Sequence, residues 1–286
     1  MSLVGALAWL ILTMPAICVY VAYLQRHAKQ PNIGHIKQAN RLLIWIRRNL
    51  EHLGLRYQPL RGPVRLITLS DSAFNAQDTQ GLVMRGCIIL LAEAGNLSSS
   101  STLAADTPHS TKQWHSGDDI RWHVLDWYSR KHSRVVRSTY AAELLSLLDA
   151  TNQGSVIQLC LHELARGTQP SKQLRNLVSS DMAIPMDVGC DAKAVYDSVT
   201  ATTLKTPDDK HLLLHARAMR EFMEMGPVDR LYWFDTEDML PDGLTKGSID
   251  RAALVSVCEH GVWAIRHAEP ISTSLARKRS DGEEES

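Results

Sequence analysis

The chain has 286 residues, of which 44% are hydrophobic; this composition is typical of a globular protein and excludes a chain that is disordered throughout. Lys and Arg together number 31, and Asp and Glu also number 31. No overall positive field can therefore hold the protein on nucleic acid, and any such contact must come from local patches. The five cysteines form no C-x-x-C pair, which argues against a disulfide framework or a zinc knuckle and favours a reducing, intracellular location.

An uncharged apolar stretch, residues 3 to 24, begins the chain and is followed by Arg26, His27 and Lys29. Hydropathy alone leaves two interpretations open, a membrane span and a buried helical hairpin. A cleavable signal is disfavoured because no basic residue precedes the stretch. Pro15 suits the first turn of a second helix better than the middle of one long helix. We therefore expect two helices that are broken near Pro15 and that bury against the next helix.

That next helix is amphipathic, because apolar residues recur every three or four positions over residues 35 to 53, and Gly54 closes it. Two strands are predicted after it, at Val64 to Leu69 and at Leu82 to Leu91. Residues 94 to 119 are rich in Ser, Asn, Thr, Asp and Gly. They are predicted to be a mobile surface insertion whose deletion leaves the fold intact.

The second half of the chain alternates strands and helices. The predicted elements are a strand at Ile120 to Tyr128, a long helix from Ser138 or Thr139 that Gly154 breaks, a strand at Met186 to Cys190, helices at 192 to 199 and 208 to 225, and a strand at Leu231 to Phe234. This order predicts a mixed sheet that carries helices, an α/β architecture.

Four acidic residues, Asp71, Glu143, Asp191 and Asp242, lie at the ends or first turns of these elements. Strand ends in such sheets open onto the crevice where ligands bind. Four carboxylates with no basic partner nearby would repel one another, and bound Mg²⁺ or Mn²⁺ would relieve that repulsion. The alternative is that each acid serves as a helix cap, since capping and the helix dipole favour acids at helix starts.

Five short sequence motifs follow one another along the chain, and four of them contain one of these acids. They are SDSAF (70 to 74), RVVRSTYAAE (134 to 143), CDAKAVYDS (190 to 198), KHLLLHARAMRE (210 to 221) and LPDGLTKG (240 to 247). Together they resemble the ribonuclease H domain of copia-type retrotransposon polyproteins. The resemblance places the family's catalytic, metal-binding acids on Asp71, Glu143, Asp191 and Asp242, as ligands of two Mg²⁺ or Mn²⁺ ions. It implies a ribonuclease H-like fold, a mixed five-stranded sheet with helices on both faces. The implied activity is hydrolysis of the RNA strand of an RNA/DNA hybrid by two-metal catalysis.

The resemblance extends to the N-terminus. GALAWLILTMPAIC (5 to 18) and H-x-x-x-A-N-R-L-L (35 to 43) are similar to the segment that links the family's reverse transcriptase to its ribonuclease H. This implies that the apolar start packs on a polymerase domain rather than crossing a membrane. The chain departs from the family at Met14, Pro15 and Ala16, where copia-type proteins usually carry Arg-Pro-Asp. The polymerase palm is absent, so we expect no DNA synthesis, and we expect a processed product, a gene fragment or a decayed copy.

The resemblance covers roughly residues 4 to 255 and implies three parts. Residues 1 to 60 resemble the connection to reverse transcriptase. Residues 61 to 255 resemble the ribonuclease H domain, with 94 to 119 as an insertion. Residues 256 to 286 form an extension that is expected to be disordered from about 271, because its polar and charged residues bury little apolar surface.

The residues predicted to contact nucleic acid are Arg130, Lys131, Arg134, Arg137, Ser138 and Lys193. The basic residues before Glu143 could meet backbone phosphates, and the alternative is a solvated strand edge. RNA would be distinguished from DNA through its 2′-hydroxyl groups.

Other candidate residues are interpreted as structural. His211 and His215 are spaced four apart on a predicted helix, but no third zinc ligand is evident. Trp122, Trp127 and Trp233 are predicted to lie in the core or at its rim rather than to stack on bases.

Two functions of other classes also stay open. A non-catalytic relic would keep the fold and bind nucleic acid or a polymerase partner without turnover. A membrane-anchored protein would use residues 3 to 24 as a span and hold the domain in the cytosol. The resemblance implies that the protein is intracellular, in the cytoplasm or the nucleus.

Overall fold

The structure is a computed structural model, and it describes residues 2–74, 83–93, 120–132, 135–174, 177–201, 203, 210–265 and 268–272. The predicted insertion at 94 to 119 lies outside these residues, as do Arg134 and the polar residues after 272.

Six strands of the described residues form one mixed sheet in the order β3-β2-β1-β4-β5-β6. The strands are β1 (Val64–Ala73), β2 (Met84–Glu93), β3 (Trp122–Lys131), β4 (Met186–Cys190), β5 (Val228–Phe234) and β6 (Ala268–Ser272). The β1/β4 and β4/β5 pairs are parallel, and the other neighbours are antiparallel. The first five strands confirm the predicted mixed sheet, and their order is consistent with a ribonuclease H-like fold. The sixth strand was not predicted, because its sequence AEPIS has too few apolar residues to stand out from the polar tail.

Helices occupy most of the remaining described chain. They are α1 (Leu3–Leu10), α2 (Cys18–Arg26), α3 (Ile33–Asn49), α4 (Thr139–Arg166), α5 (Ser171–Leu174), α6 (Lys193–Thr200), α7 (Leu212–Glu224), α8 (Asp242–Thr245) and α9 (Ala252–His260). Short 3-10 turns lie at Pro15–Ile17, Leu50–His52, Ser179–Asp181 and Thr236–Asp238. The predicted break near Pro15 is confirmed, because α1 and α2 are separate helices on either side of it.

Hydrophobic cores cover both faces of the sheet, as predicted. One core joins α1, α2, α3 and α9 to one face through residues such as Ile17, Leu42 and Phe234. The other joins α4, α6 and α7 to the opposite face through residues such as Leu144 and Met219. The N-terminal helices are thus part of the main core. The Trp127 indole donates a hydrogen bond to the Ile11 carbonyl over 2.9 Å, which ties them further to β3.

Within the described residues, no helix has the length and apolar character that crossing a membrane requires.

Helix α4 shows that the prediction of a break at Gly154 was wrong. The helix runs through this position to Arg166, and Gly154 faces the sheet against Thr68 of β1 and Met186 of β4. A Cβ there would lie 2.8 Å from the Met186 sulfur and would also clash with the Thr68 hydroxyl. The glycine therefore serves close helix-to-sheet packing and not helix termination.

Several predicted boundaries differ from the observed ones, and two of these differences bear on the site or on the division into domains. Strand β1 continues past Leu69 to Ala73, so Asp71 lies inside the strand and opposite Gly86 rather than after its end. The polar residues Ser70 and Ser72 are buried on either side of it, and their polarity hid the end of the strand from hydropathy. The boundary at 255/256 falls inside helix α9.

Candidate metal centre

Three of the predicted acids converge at one edge of the sheet. Asp71 lies near the carboxyl end of β1, and Asp191 follows the last residue of β4. Because β1 and β4 are parallel neighbours, these two ends lie side by side. Glu143 reaches the same point from α4. One carboxylate oxygen of each acid lies within 4.8 Å of those of the other two.

The position of Glu143 is fixed by the start of α4. The Ser138 hydroxyl accepts a hydrogen bond of 3.1 Å from the Ala141 amide, so Ser138 caps the helix and sets where its first turn begins. Glu143 then points inward and is only 6% exposed. Its Oε2 atom is buried and has no hydrogen-bond partner among the described residues. A buried carboxylate oxygen without a partner is costly, and a bound cation would satisfy it.

The fourth acid, Asp242, comes to this edge on the short helix α8. Gly86 on β2 permits the approach, because a Cβ there would lie 2.8 Å from the Thr245 methyl group and 3.0 Å from the Pro241 carbonyl oxygen. The Thr245 hydroxyl donates a hydrogen bond to the Asp71 carboxylate. Helix α8 is therefore joined directly to the acid on β1.

Lys246 lies among these acids, so the expectation that they have no basic partner was wrong. Its ammonium group is 2.7 Å from the Asp242 Oδ1 atom and 3.8 Å from the Asp71 Oδ1 atom. Asp242 is thus paired with Lys246 and stands beside the group of three rather than within it. Sequence reasoning missed Lys246, although it follows Asp242 by four residues, a spacing that favours an ion pair across one helical turn.

The carboxylates strongly affect one another's protonation. Burial and then the charge of Asp242 raise the pKa of Asp71 to about 7, against the opposing effect of Lys246. Burial and the charges of Asp71 and Asp191 raise the pKa of Glu143 to about 8. Burial and Asp242 also raise the pKa of Asp191. Such mutual repulsion is what a divalent cation would relieve.

The donor set fits a hard divalent cation. All candidate ligand atoms are carboxylate oxygens, which Mg²⁺ and Mn²⁺ prefer. Helix capping is not supported, because the N-cap residues of α4, α6 and α8 are Ser138, Ala192 and Pro241. Of the four acids, only Asp242 lies in the first turn of a helix, where the helix dipole favours an acid. Asp71 lies in a strand. We conclude that Asp71, Glu143 and Asp191 form a candidate metal centre with Asp242 beside it.

No protein-family model matches this chain, and no curated protein is significantly similar to it. The chemistry of the site therefore has to be argued from its residues.

The residues predicted to contact nucleic acid are placed as follows, apart from Arg134, which lies outside the described residues. Arg130 is exposed, with its guanidinium 4.6 Å from the centre of the Tyr128 ring. Lys131 is opposite Met84 on β2, so both basic residues lie at the end of the sheet that carries Asp71. Arg137 is exposed just before α4. Ser138 serves as the cap described above.

Lys193 lies closest to the acids in sequence, two residues after Asp191. Its ammonium is 4.9 Å from the centre of the Trp233 ring and 3.4 Å from an Asp197 oxygen. The Trp233 indole donates a 2.8 Å hydrogen bond to the Asp191 carbonyl, so this half-buried tryptophan supports the turn that carries the acid. The sequence predicted that Trp233 lies in the core or at its rim, but it gave no signal for this role.

The remaining aromatic and histidine candidates behave as structural residues. Trp122 is buried and Trp127 is half-buried against the N-terminal helices. The rings of His211 and His215 lie 6.5 Å apart. Among the described residues, the one group of three potential metal ligands is the acidic one, so these histidines have no third ligand there.

Proposed function

We propose that the chain is the ribonuclease H part of a copia-type retrotransposon polyprotein, an intracellular nuclease that hydrolyses the RNA strand of RNA/DNA hybrids with Mg²⁺ or Mn²⁺. The observation that carries the proposal is the group formed by Asp71, Glu143 and Asp191, whose carboxylate oxygens lie within 4.8 Å of one another at one sheet edge. The unpartnered Glu143 oxygen supports it further. The sequence motifs that contain these acids are the basis on which this family is proposed.

Asp71, Glu143 and Asp191 would hold one ion, and Asp242 together with Asp71 would hold the second. When bound, the ions would supply a water molecule of lowered pKa and would stabilise the charge on the attacking and leaving oxygens of an in-line displacement. The protein's own part is positioning. Thr245 orients the Asp71 carboxylate, and Trp233 supports the backbone of Asp191. Burial of Asp71 and Glu143 strengthens every electrostatic interaction at the site.

The substrate is proposed from the charges around the acids. Arg130, Lys131, Arg137 and Lys193 would contact the phosphates, and such contacts carry little sequence preference. Selection of the RNA strand would depend on contacts to its 2′-hydroxyl groups.

A cleavage assay tests the proposal. The full chain is mixed with a hybrid duplex labelled on the RNA strand, with Mg²⁺ or with EDTA. We expect Mg²⁺-dependent shortening of the RNA strand and no cleavage of the matching double-stranded DNA. Asp191→Asn should not cleave the RNA strand. Asp181→Asn is the matched control and should cleave it, because Asp181 is exposed and precedes β4 at the opposite end from Asp191. Cleavage in EDTA, or none with Mg²⁺, contradicts the proposal.

Lys246 favours a second candidate, a relic without turnover. Its ammonium group already neutralises part of the charge of Asp71 and Asp242, so the fold can be stable without metal. Titration calorimetry separates the two candidates. A nuclease binds Mg²⁺ and releases protons, because its raised carboxyl pKa values must be overcome, whereas a relic shows neither effect.

A reverse transcriptase domain is proposed as the partner of residues 1 to 60. Several apolar side chains of this segment face solvent, including Trp9 at 67%, Leu12 at 60% and Ile33 at 73% exposure. Exposed apolar patches mark interaction surfaces. Replacing Trp9 and Leu12 by Asp should abolish co-purification with a copia-type polymerase domain while leaving hybrid cleavage intact.

A further inference from the structure

A cavity of about 460 Å³ lies between the N-terminal helices and the sheet. Tyr20, Tyr23 and Leu24 of α2 line one wall, and Gln38, Arg41 and Leu42 of α3 line the next. Met84 of β2 and the end of α8 close the far side. We call this cavity, defined by these residues, the helix groove. Part of its lining falls within the motifs quoted above, namely Arg41, Leu42, Thr245 and Gly247, but no nucleic-acid contact was predicted there.

The helix groove carries positive charge. Arg26 and Arg41 both line it, and both are exposed to solvent. Lys131 stands opposite Met84 across the strand pair. Burial lowers the pKa of His27, and the nearby charges of His35, Arg26 and Lys131 lower it further, which places these basic groups around one another. The described lining residues include no acidic side chain, so the groove is complementary to an anionic polymer.

The helix groove adjoins the candidate metal centre through α8. Thr245 lines the groove, and its hydroxyl is bonded to Asp71. The Tyr20 hydroxyl donates a 2.9 Å hydrogen bond to the Gly247 carbonyl, which joins α2 to the segment after α8. A strand lying in the groove would therefore reach Thr245, which is one hydrogen bond away from Asp71.

We propose that the helix groove binds a nucleic-acid strand, with phosphates against Arg26 and Arg41 and a sugar or base against the ring of Tyr23. The proposal rests on the proposed nuclease function and extends its binding surface to the N-terminal helices.

The shape and composition of the groove agree with this occupant. Its walls are largely apolar apart from the two arginines, as suits the non-phosphate part of a nucleotide. Tyr23 is 37% exposed and its ring lies 4.7 Å from that of His27, which in turn stacks on His35 at 4.2 Å. A ring supported in this way offers a stacking surface of the kind that single strands use. The groove is partly open to solvent, and its lining residues Arg26 and Arg41 are exposed, so a strand can enter and leave it.

Fluorescence anisotropy of a labelled hybrid, measured in EDTA over a series of salt concentrations, tests the proposal without any cleavage. The double variant Arg26→Gln, Arg41→Gln should bind more weakly, and its plot of log affinity against log salt should be shallower by about 1 for each arginine. Arg47→Gln is the matched control, because Arg47 is an exposed arginine of α3 that does not line the groove. It should keep the wild-type affinity apart from the small effect of one lost charge.

Equal affinity and equal salt slope for the double variant and the Arg47→Gln control would overturn the proposal. A nucleoside monophosphate that binds as tightly as the hybrid would also overturn it, because the groove would then be a small-molecule site. The outcome is separable from that of the nuclease proposal. If binding depends on the two arginines but no Mg²⁺-dependent cleavage occurs, the groove proposal stands and the nuclease proposal fails. If the hybrid is cleaved but binding does not depend on the arginines, the nuclease proposal stands and the groove proposal fails.

Discussion

The ammonium group of Lys246 lies 2.7 Å from the Asp242 carboxylate. The same group is 3.8 Å from Asp71, so one lysine contacts both Asp71 of the candidate metal centre and the neighbouring Asp242. An ammonium and a divalent cation compete for the same carboxylate oxygens. Metal affinity and the stability of the metal-free protein should therefore respond to Lys246 in opposite directions.

Lys246→Met tests this competition. Loss of the half-buried ion pair should destabilise the metal-free protein by about 1 to 2 kcal/mol and should increase the stabilisation that Mg²⁺ provides. Thermal melts with EDTA and with Mg²⁺ measure both effects. Lys37→Met, at an exposed position of α3, is the control. A variant that gains no more from Mg²⁺ than the wild type would show that Lys246 and the metal do not compete.

Stability of the metal-free protein should fall as the pH rises from about 5 to about 8. Asp71 and Glu143 have folded pKa values of about 7 and about 8, above their unfolded values near 4. In that window the folded state binds more protons than the unfolded state, so the stabilisation present at low pH is lost as these groups ionise. Differential scanning calorimetry in EDTA at several pH values measures the slope.

Glu143→Gln should flatten that slope, whereas Glu221→Gln, at an exposed position of α7, should leave it unchanged. Saturating Mg²⁺ should also flatten the slope, because the metal binds the ionised form. A metal-free melting temperature that rises over this pH range in the wild type but not in Glu143→Gln would contradict the sign of the effect.

Asp191→Asn should abolish Mg²⁺-dependent cleavage of the RNA strand, because it removes one ligand charge and keeps the shape. The metal-free variant should be as stable as the wild type or slightly more so, since a repulsive charge is gone. A helix cap behaves differently, because its loss costs about 0.5 to 2 kcal/mol with metal present or absent. Melts of both proteins with and without Mg²⁺ distinguish the two roles; equal stabilisation of both by Mg²⁺ would speak against Asp191 as a ligand.

Gly86→Ala should displace α8 and weaken the site. The added methyl group would meet the Thr245 and Leu244 side chains at less than contact distance, and overpacking of this kind costs about 1 to 3 kcal/mol. Metal affinity by calorimetry should fall as Thr245 and Asp242 move away. Gly54→Ala is the control, since a Cβ there meets nothing within 4 Å. If Gly86→Ala keeps wild-type stability and Mg²⁺ affinity, α8 does not depend on this contact.

The strands and most helices could be predicted from the sequence because their apolar patterns are local. β4 and the first turn of α4 are examples, with a short apolar run in one case and a Ser cap in the other. Gly154 was misjudged because its role depends on the Met186 sulfur, which is distant in sequence. β6 was missed because the pairing with β5, and not its own composition, makes it a strand.

The acids of the site could be predicted because they lie in recognisable sequence motifs. The residues that surround them in space could not be predicted. The proximity of Lys246 to Asp71 joins residues 175 positions apart, and it arises from tertiary packing that includes the close approach of α8 to Gly86. The helix groove is likewise a product of tertiary packing, since Arg41 and Thr245 have no relation in the sequence.

Strand β6 has a consequence for solubility. It pairs with β5 from Arg230 to Phe234, so the backbone N–H and C=O groups of β5 on that side are not offered to other molecules. A chain shortened to residue 265 would expose that edge, next to the buried Tyr232 and Phe234. Unpaired edges of this kind recruit strands from neighbouring molecules, and such a shortened protein would tend to aggregate while its acids remained in place.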